Sequence, residues 1–239
     1  MNEPTLLVLL TTATSVALLH TAIGIDHTLP FVVLGRARKW SLTKVLAITA
    51  LCGLGHVLSS VVLGAIGIGL GIGLSKLTTI EASRGSLSAW LLIVFGLAYA
   101  GWSFARQRRA YRHIHEHDGH VHVHPHDPHH PHHHAHLHDA STLSGKQLTF
   151  WGLFIIFVLG PCEPLIPLLM VPAATMGAWG TFWVALVFGT VTIGTMLLLV
   201  TLGYYALQVS LFGPLERYAN TLAGVAIALS GVAIKLFGI

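Results

Sequence analysis

The 239-residue chain is 54% hydrophobic and only 9% charged, whereas an ordinary soluble domain is roughly a quarter charged. That balance excludes a water-soluble globular fold. The net charge of +4 brings no nucleic-acid partner with it, because the basic residues flank apolar stretches and form no patch.

Apolar stretches run over about 5–34, 45–75, 87–105, 148–174, 181–208 and 219–239, each long enough for the roughly 20 residues that cross a bilayer core as helix. They predict an all-α membrane protein with six transmembrane helices. The first stretch has neither a basic leader region nor a small-residue cleavage site and is expected to stay in the mature protein. It carries Gly24 and Pro30, which interrupt a helix, and the polar residues His20, Asp26 and His27. His20 and His27 stand seven apart, nearly the same face two turns on.

The second stretch places His56 beside Gly55, with Cys52, Ser59 and Ser60 nearby. Its glycine run, GAIGIGLGIGLS (64–75), has no Walker lysine and no G-x-G-x-x-G, so it is read as close helix packing or a flexible helix end. Between the third and fourth stretches lies HIHEHDGHVHVHPHDPHHPHHHAHLHD (113–139), which holds 14 of the 17 histidines. A segment with nothing to bury is expected to be disordered without ligand. Its imidazoles suit zinc, nickel, copper and cobalt without choosing among them.

The fourth stretch contains LGPCEPLIPLL (159–169), where Cys162 and Glu163 sit among Gly160, Pro161, Pro164 and Pro167. An acidic side chain at the bilayer centre costs about 3 kcal/mol or more, so such groups face a cavity and carry function. With no Lys or Arg at the centre of any of the six stretches, the partner expected for Asp26 and Glu163 is a proton, a histidinium or a transported cation. Ser59, Ser60, Thr190, Thr192 and Thr195 are read mostly as helix glue.

The two halves align weakly: GIDHTLPFVVL (24–34) with GPCEPLIPLLM (160–170), LGHVLSSVVLG (54–64) with FGTVTIGTMLL (188–198), AYAGWS (98–103) with ALSGVA (228–233). Three spans is an odd number, so the second half enters the membrane upside down. The expected architecture is therefore a 3+3 inverted repeat with broken helices 1 and 4, divided as 1–105, a cytoplasmic His-rich loop 106–147, and 148–239. Such repeats hold a transport site near the midplane on interrupted helices. If the spans alternate, ten Lys and Arg fall on one side and Lys76, Arg84 and Lys235 on the other. The positive-inside rule then puts both termini outside and the His-rich loop in the cytoplasm, in the cell (inner) membrane.

TAIGIDH followed by GLGHVLSSVVLG resembles the signature of nickel/cobalt transporters and exporters, including urease-accessory-type nickel permeases, within the LysE-like superfamily. Asp26, His27 and His56 match that signature. Its first histidine would stand at Thr21, and His20 lies one residue earlier. The GPCEPLIP segment is similar to the proline-flanked cysteine motif of thiol-disulfide electron carriers, which need two exchanging cysteines.

The function expected is a secondary transporter of divalent transition-metal ions, nickel or cobalt first and zinc next, with export favoured over uptake. Its metal ligands would come from Asp26, His27, His56, Glu163, Cys162 and His20. The metal is substrate; no cofactor and no enzymatic activity are expected. Partners are the bilayer, a cytoplasmic metallochaperone and further copies of the chain. Alternatives are an electron carrier using Cys162 and Cys52, or a metal-sensing membrane anchor.

Overall fold

The computed structural model describes residues 3–110, 114–117, 120–123, 145–207 and 218–237. In lipid a backbone amide finds no water, so a chain this apolar closes its hydrogen bonds within helices. The described residues form eight α-helices: α1 (Glu3–Ile23), α2 (Leu29–Ala37), α3 (Leu42–Gly69), α4 (Leu74–Ala110), α5 (Gly145–Leu159), α6 (Leu165–Thr175), α7 (Gly177–Ala206) and α8 (Ala219–Phe237). Five of them contain segments long and apolar enough to cross a membrane: Leu6–Ile23, Leu42–Gly69, Leu74–Arg108, Gly177–Ala206 and Ala219–Phe237. The apolar segments Thr149–Leu159 and Leu165–Thr175 are shorter. These are the helices of a multi-pass membrane protein.

The first apolar stretch is divided into α1, a three-residue 3-10 turn (Ile25–His27) and α2. Gly24 adopts an extended conformation at the division and Pro30 occupies the first turn of α2, where a missing N–H costs nothing. The fourth stretch is divided likewise, between α5 and α6, at residues 160–164. Serine and threonine mostly bond their own helix, as Thr190 does to the Leu186 carbonyl and Thr49 to that of Val45.

Two features depart from the sequence expectation. The stretch expected to start near residue 87 is helical from Leu74, so Glu81 and Arg84 enter the bundle on α4 and do not lie in a loop. Part of the histidine-rich segment forms an antiparallel hairpin of β1 (Ile114–His117) and β2 (His120–Val123), which pairs His115 with His122 and His117 with His120. The rest of 113–139 lies outside the described residues.

The surface is oily and the interior polar in places, the reverse of a soluble domain. Leu7, Leu51, Val62, Val94, Leu198 and Leu202 are all more than half exposed, whereas His27, His56, Ser60, Glu81 and Thr192 are buried. Two apolar clusters hold the helices together. One gathers Phe31, Leu34, Trp40, Leu153, Phe157 and Met196, the other Ala13, Ala17, Cys162, Leu165, Leu169 and Phe188. Helices α4 and α8 meet backbone to backbone: a Cβ at Gly224 would stand 2.6 Å from the Ala100 nitrogen and 2.7 Å from the Gly96 carbonyl oxygen. Small residues at four-residue spacing on both helices, Gly96/Ala100 and Gly224/Ala228, permit that approach.

Candidate metal centre

Three histidines from separate elements converge where the first stretch breaks. His20 closes α1, His27 sits in the 3-10 turn, and His56 lies in the body of α3. One ring nitrogen from each falls within 4.8 Å of the others. The His20 and His27 rings meet edge on with centroids 4.9 Å apart, and those of His27 and His56 at 5.1 Å. The break makes this possible, because an unbroken helix would leave His27 two turns beyond His20 along one axis.

The backbone around the trio fixes which nitrogens face inward. His27 Nδ1 stands 3.3 Å from the Gly24 carbonyl oxygen and His56 Nδ1 stands 3.3 Å from that of Phe157. A carbonyl only accepts, so each Nδ1 carries the proton and donates. In neutral rings the lone pairs are then left on the two Nε2 atoms, which stand 3.4 Å apart. The Nε2 of His20 is buried and bonds to nothing. Imidazoles that ligate metal almost always donate their second N–H to a carbonyl or carboxylate in this way. Both glycines that frame the trio are there for space: a Cβ at Gly24 would run into the His27 ring, and one at Gly160 would come 3.3 Å from His56 Nδ1.

Asp26 adjoins the trio without joining it. Its Oδ1 lies 3.2 Å from His27 Nδ1, an ion-pair distance, yet it makes no aligned hydrogen bond. It lines a cavity of about 580 Å³ whose walls also include His20, His27, Glu163, Ser86 and Lys235. Glu163 is exposed on that wall, so the two acids chosen from the sequence share one cavity. The cavity also contains a cation that the sequence reading had placed outside it: Lys235, whose Nζ donates to Ser86 Oγ at 2.9 Å. Cys162 is fully buried in an apolar cluster with Leu165 and Phe188. Cys52 belongs to the other cluster, and both thiols are free.

An ion pair on α4 organises the second break, and the sequence reading missed it. Arg84 pairs with Glu81 one turn away. Arg84 also donates to the Val158 carbonyl at 2.9 Å, to that of Gly160 at 3.3 Å and to Ser59 Oγ at 2.7 Å. Glu81 Oε2 accepts the Cys162 N–H at 3.1 Å and faces the Ser60 hydroxyl at 3.4 Å. A helix end leaves carbonyls without partners and the chain beyond it leaves amides without partners; here one guanidinium and one carboxylate answer both. The available signal was Glu81 and Arg84 at i,i+3 just ahead of the third apolar stretch.

Comparison with protein-family models, with curated proteins and with solved structures finds no match to this chain.

Proposed function

We propose that this protein is a secondary carrier of a divalent transition-metal ion, with His20, His27 and His56 as the imidazole ligands and Asp26 beside them. The observation that carries the reading is the pair of Nε2 atoms held 3.4 Å apart while both Nδ1 atoms stand 3.3 Å from carbonyl oxygens. Two uncharged lone pairs do not attract each other; a proton on one of them or a metal cation between them makes the arrangement favourable, which is the exchange a proton-coupled carrier needs. Nitrogens about 2.0–2.1 Å from a tetrahedral ion stand about 3.3–3.4 Å apart, and at a right angle only about 2.9 Å. The His27–His56 spacing matches a tetrahedral ion such as zinc, while the trio as a whole, whose nitrogens lie within 4.8 Å of one another, closes further around any ion that all three hold. Imidazole suits zinc, nickel and cobalt alike.

In this reading the chain is a six-span, 3+3 inverted repeat whose first and fourth spans are broken. Exchange of the halves supports it. The first stretch packs on α7 as the fourth packs on α3, α2 contacts α8 as α6 contacts α4, and α4 contacts α8. Asp26 and Glu163 line the approach to the imidazoles, and the bound ion neutralises charge that is costly in lipid. Protonation of an imidazole couples release to a proton gradient. The histidine-rich segment collects metal at the cytoplasmic mouth, which favours export.

The test is metal flux in proteoliposomes loaded with a zinc, cobalt or nickel indicator, read for His27→Ala and His56→Ala. Each is expected to lose flux by at least about 100-fold, the upper range for disturbing a metal's surroundings. Wild-type flux in both variants would refute the site.

A further inference from the structure

A second cavity of about 580 Å³ lies at the opposite end of the bundle, bordered by α2, α3, α4 and α8. Lys44 and Arg106 line it, beside Lys39 and beside Arg38, which donates to the Tyr99 hydroxyl at 2.9 Å and to Thr149 Oγ1 at 2.6 Å. Among the residues with described side chains the acids are Asp26, Glu81 and Glu163, and all three belong to the metal centre, its cavity or the second break. Lys44 Nζ rests 4.9 Å above the Trp40 ring and the Arg106 guanidinium 5.4 Å from that of Trp102. Aromatic faces steer both cations, yet a ring leaves a positive charge in place where a carboxylate would cancel it.

Two helices also start at this space. Ser41 caps α3, and Asn220 and Thr221 stand in the first turn of α8; helix starts present N–H groups and positive potential to an anion. The Ser103 hydroxyl supplies a separate sign of a missing partner. It is on the cavity wall, 8% exposed, and its oxygen makes no hydrogen bond. Trp102 is half exposed at the rim, as tryptophans are at the level of lipid headgroups.

We propose that this cavity binds the phosphate of an anionic phospholipid, gripped by Lys44 from α3 and Arg106 from α4. Position selects the lipid over a free phosphate, because the cavity lies at the ends of apolar helices behind an aromatic rim. Each basic residue near an anionic lipid surface contributes about a fivefold preference, so removing two removes about 25-fold.

The experiment takes delipidated protein in neutral detergent and titrates it separately with phosphatidylglycerol, phosphatidylcholine and inorganic phosphate, reading bound molecules by native mass spectrometry. Phosphatidylglycerol is expected to bind at least about 20-fold more tightly than phosphatidylcholine. Lys44→Ala/Arg106→Ala should lower that preference by about 25-fold, whereas Arg108→Ala, which removes a cation outside the cavity, should keep it. Inorganic phosphate binding that the double variant alone loses, without a lipid preference, would support the phosphate site and assign its source to solution. Equal retention of both lipids with no phosphate binding, or equal loss in Arg108→Ala, would overturn the proposal.

Discussion

Replacing Arg84 with methionine removes one side chain and strands several groups at once. Arg84 is 17% exposed and its partner Glu81 1% exposed, so solvent offers little compensation. The carboxylate of Glu81 loses its counter-charge, and the Val158 and Gly160 carbonyls lose their donor. Breaking a buried pair by deleting one partner costs about 3–5 kcal/mol, and each orphaned carbonyl adds about 1–3 kcal/mol less whatever water recovers. An expected loss of about 5 kcal/mol, the low end of that sum, corresponds to a melting shift of about 10–20 °C for a chain of this size. The assay is unfolding in mild detergent, followed by tryptophan fluorescence, for Arg84→Met, Glu81→Gln and the double variant. The double variant should recover about 1–3 kcal/mol relative to the sum of the singles, the coupling expected of groups in one network. A single Arg84→Met variant within 1 kcal/mol of wild type, or strict additivity, would refute the role given to this pair.

Three further outcomes follow from the centre and its surroundings. Gly24→Ala forces a methyl group into the His27 ring, and should weaken metal affinity by about 10–100-fold in protein that still inserts; calorimetric titration with zinc measures it. Metal affinity should fall as pH drops from 7.5 to 5.5, because a proton on a ligating nitrogen competes with the ion, by up to about tenfold per pH unit for each proton displaced. Calorimetric titration across that range measures it, and an affinity that rises as pH falls would refute the imidazole ligands. Cys52→Ala/Cys162→Ala should leave metal flux within about twofold, since neither thiol lies in the imidazole cluster; a dead variant that is folded would revive the electron-carrier reading.

The helical breaks were readable in the sequence because glycine and proline act locally. Gly24 with Pro30, and Gly160 with its three prolines, spoil helical hydrogen bonding wherever they occur. Convergence of His27 and His56 was readable only as a list of ligand types, since which nitrogen faces inward depends on the Gly24 and Phe157 carbonyls, the latter 101 residues from His56. His20 looked misplaced by one residue. The kink at Gly24 returns His27 to it, a displacement that helical periodicity does not contain. Glu81 and Arg84 were missed for a different reason. Hydropathy scores each charge as if it faced water or lipid, while these two face each other and the ends of a broken helix. Cys162 shows the opposite error: its motif drew attention to the thiol, and the structure uses its backbone N–H.

The seam between α4 and α8 sets a limit on how this molecule can change shape. Where glycine lets one main chain lie directly on another, no side-chain torsion remains to be reset, and sliding would drive peptide groups into each other. The two helices therefore behave as a stiff spine. Rearrangement is easier where helical bonding has already been given up, and two such points, residues 24–28 and 160–164, hold or abut the imidazoles at one and the ion pair at the other.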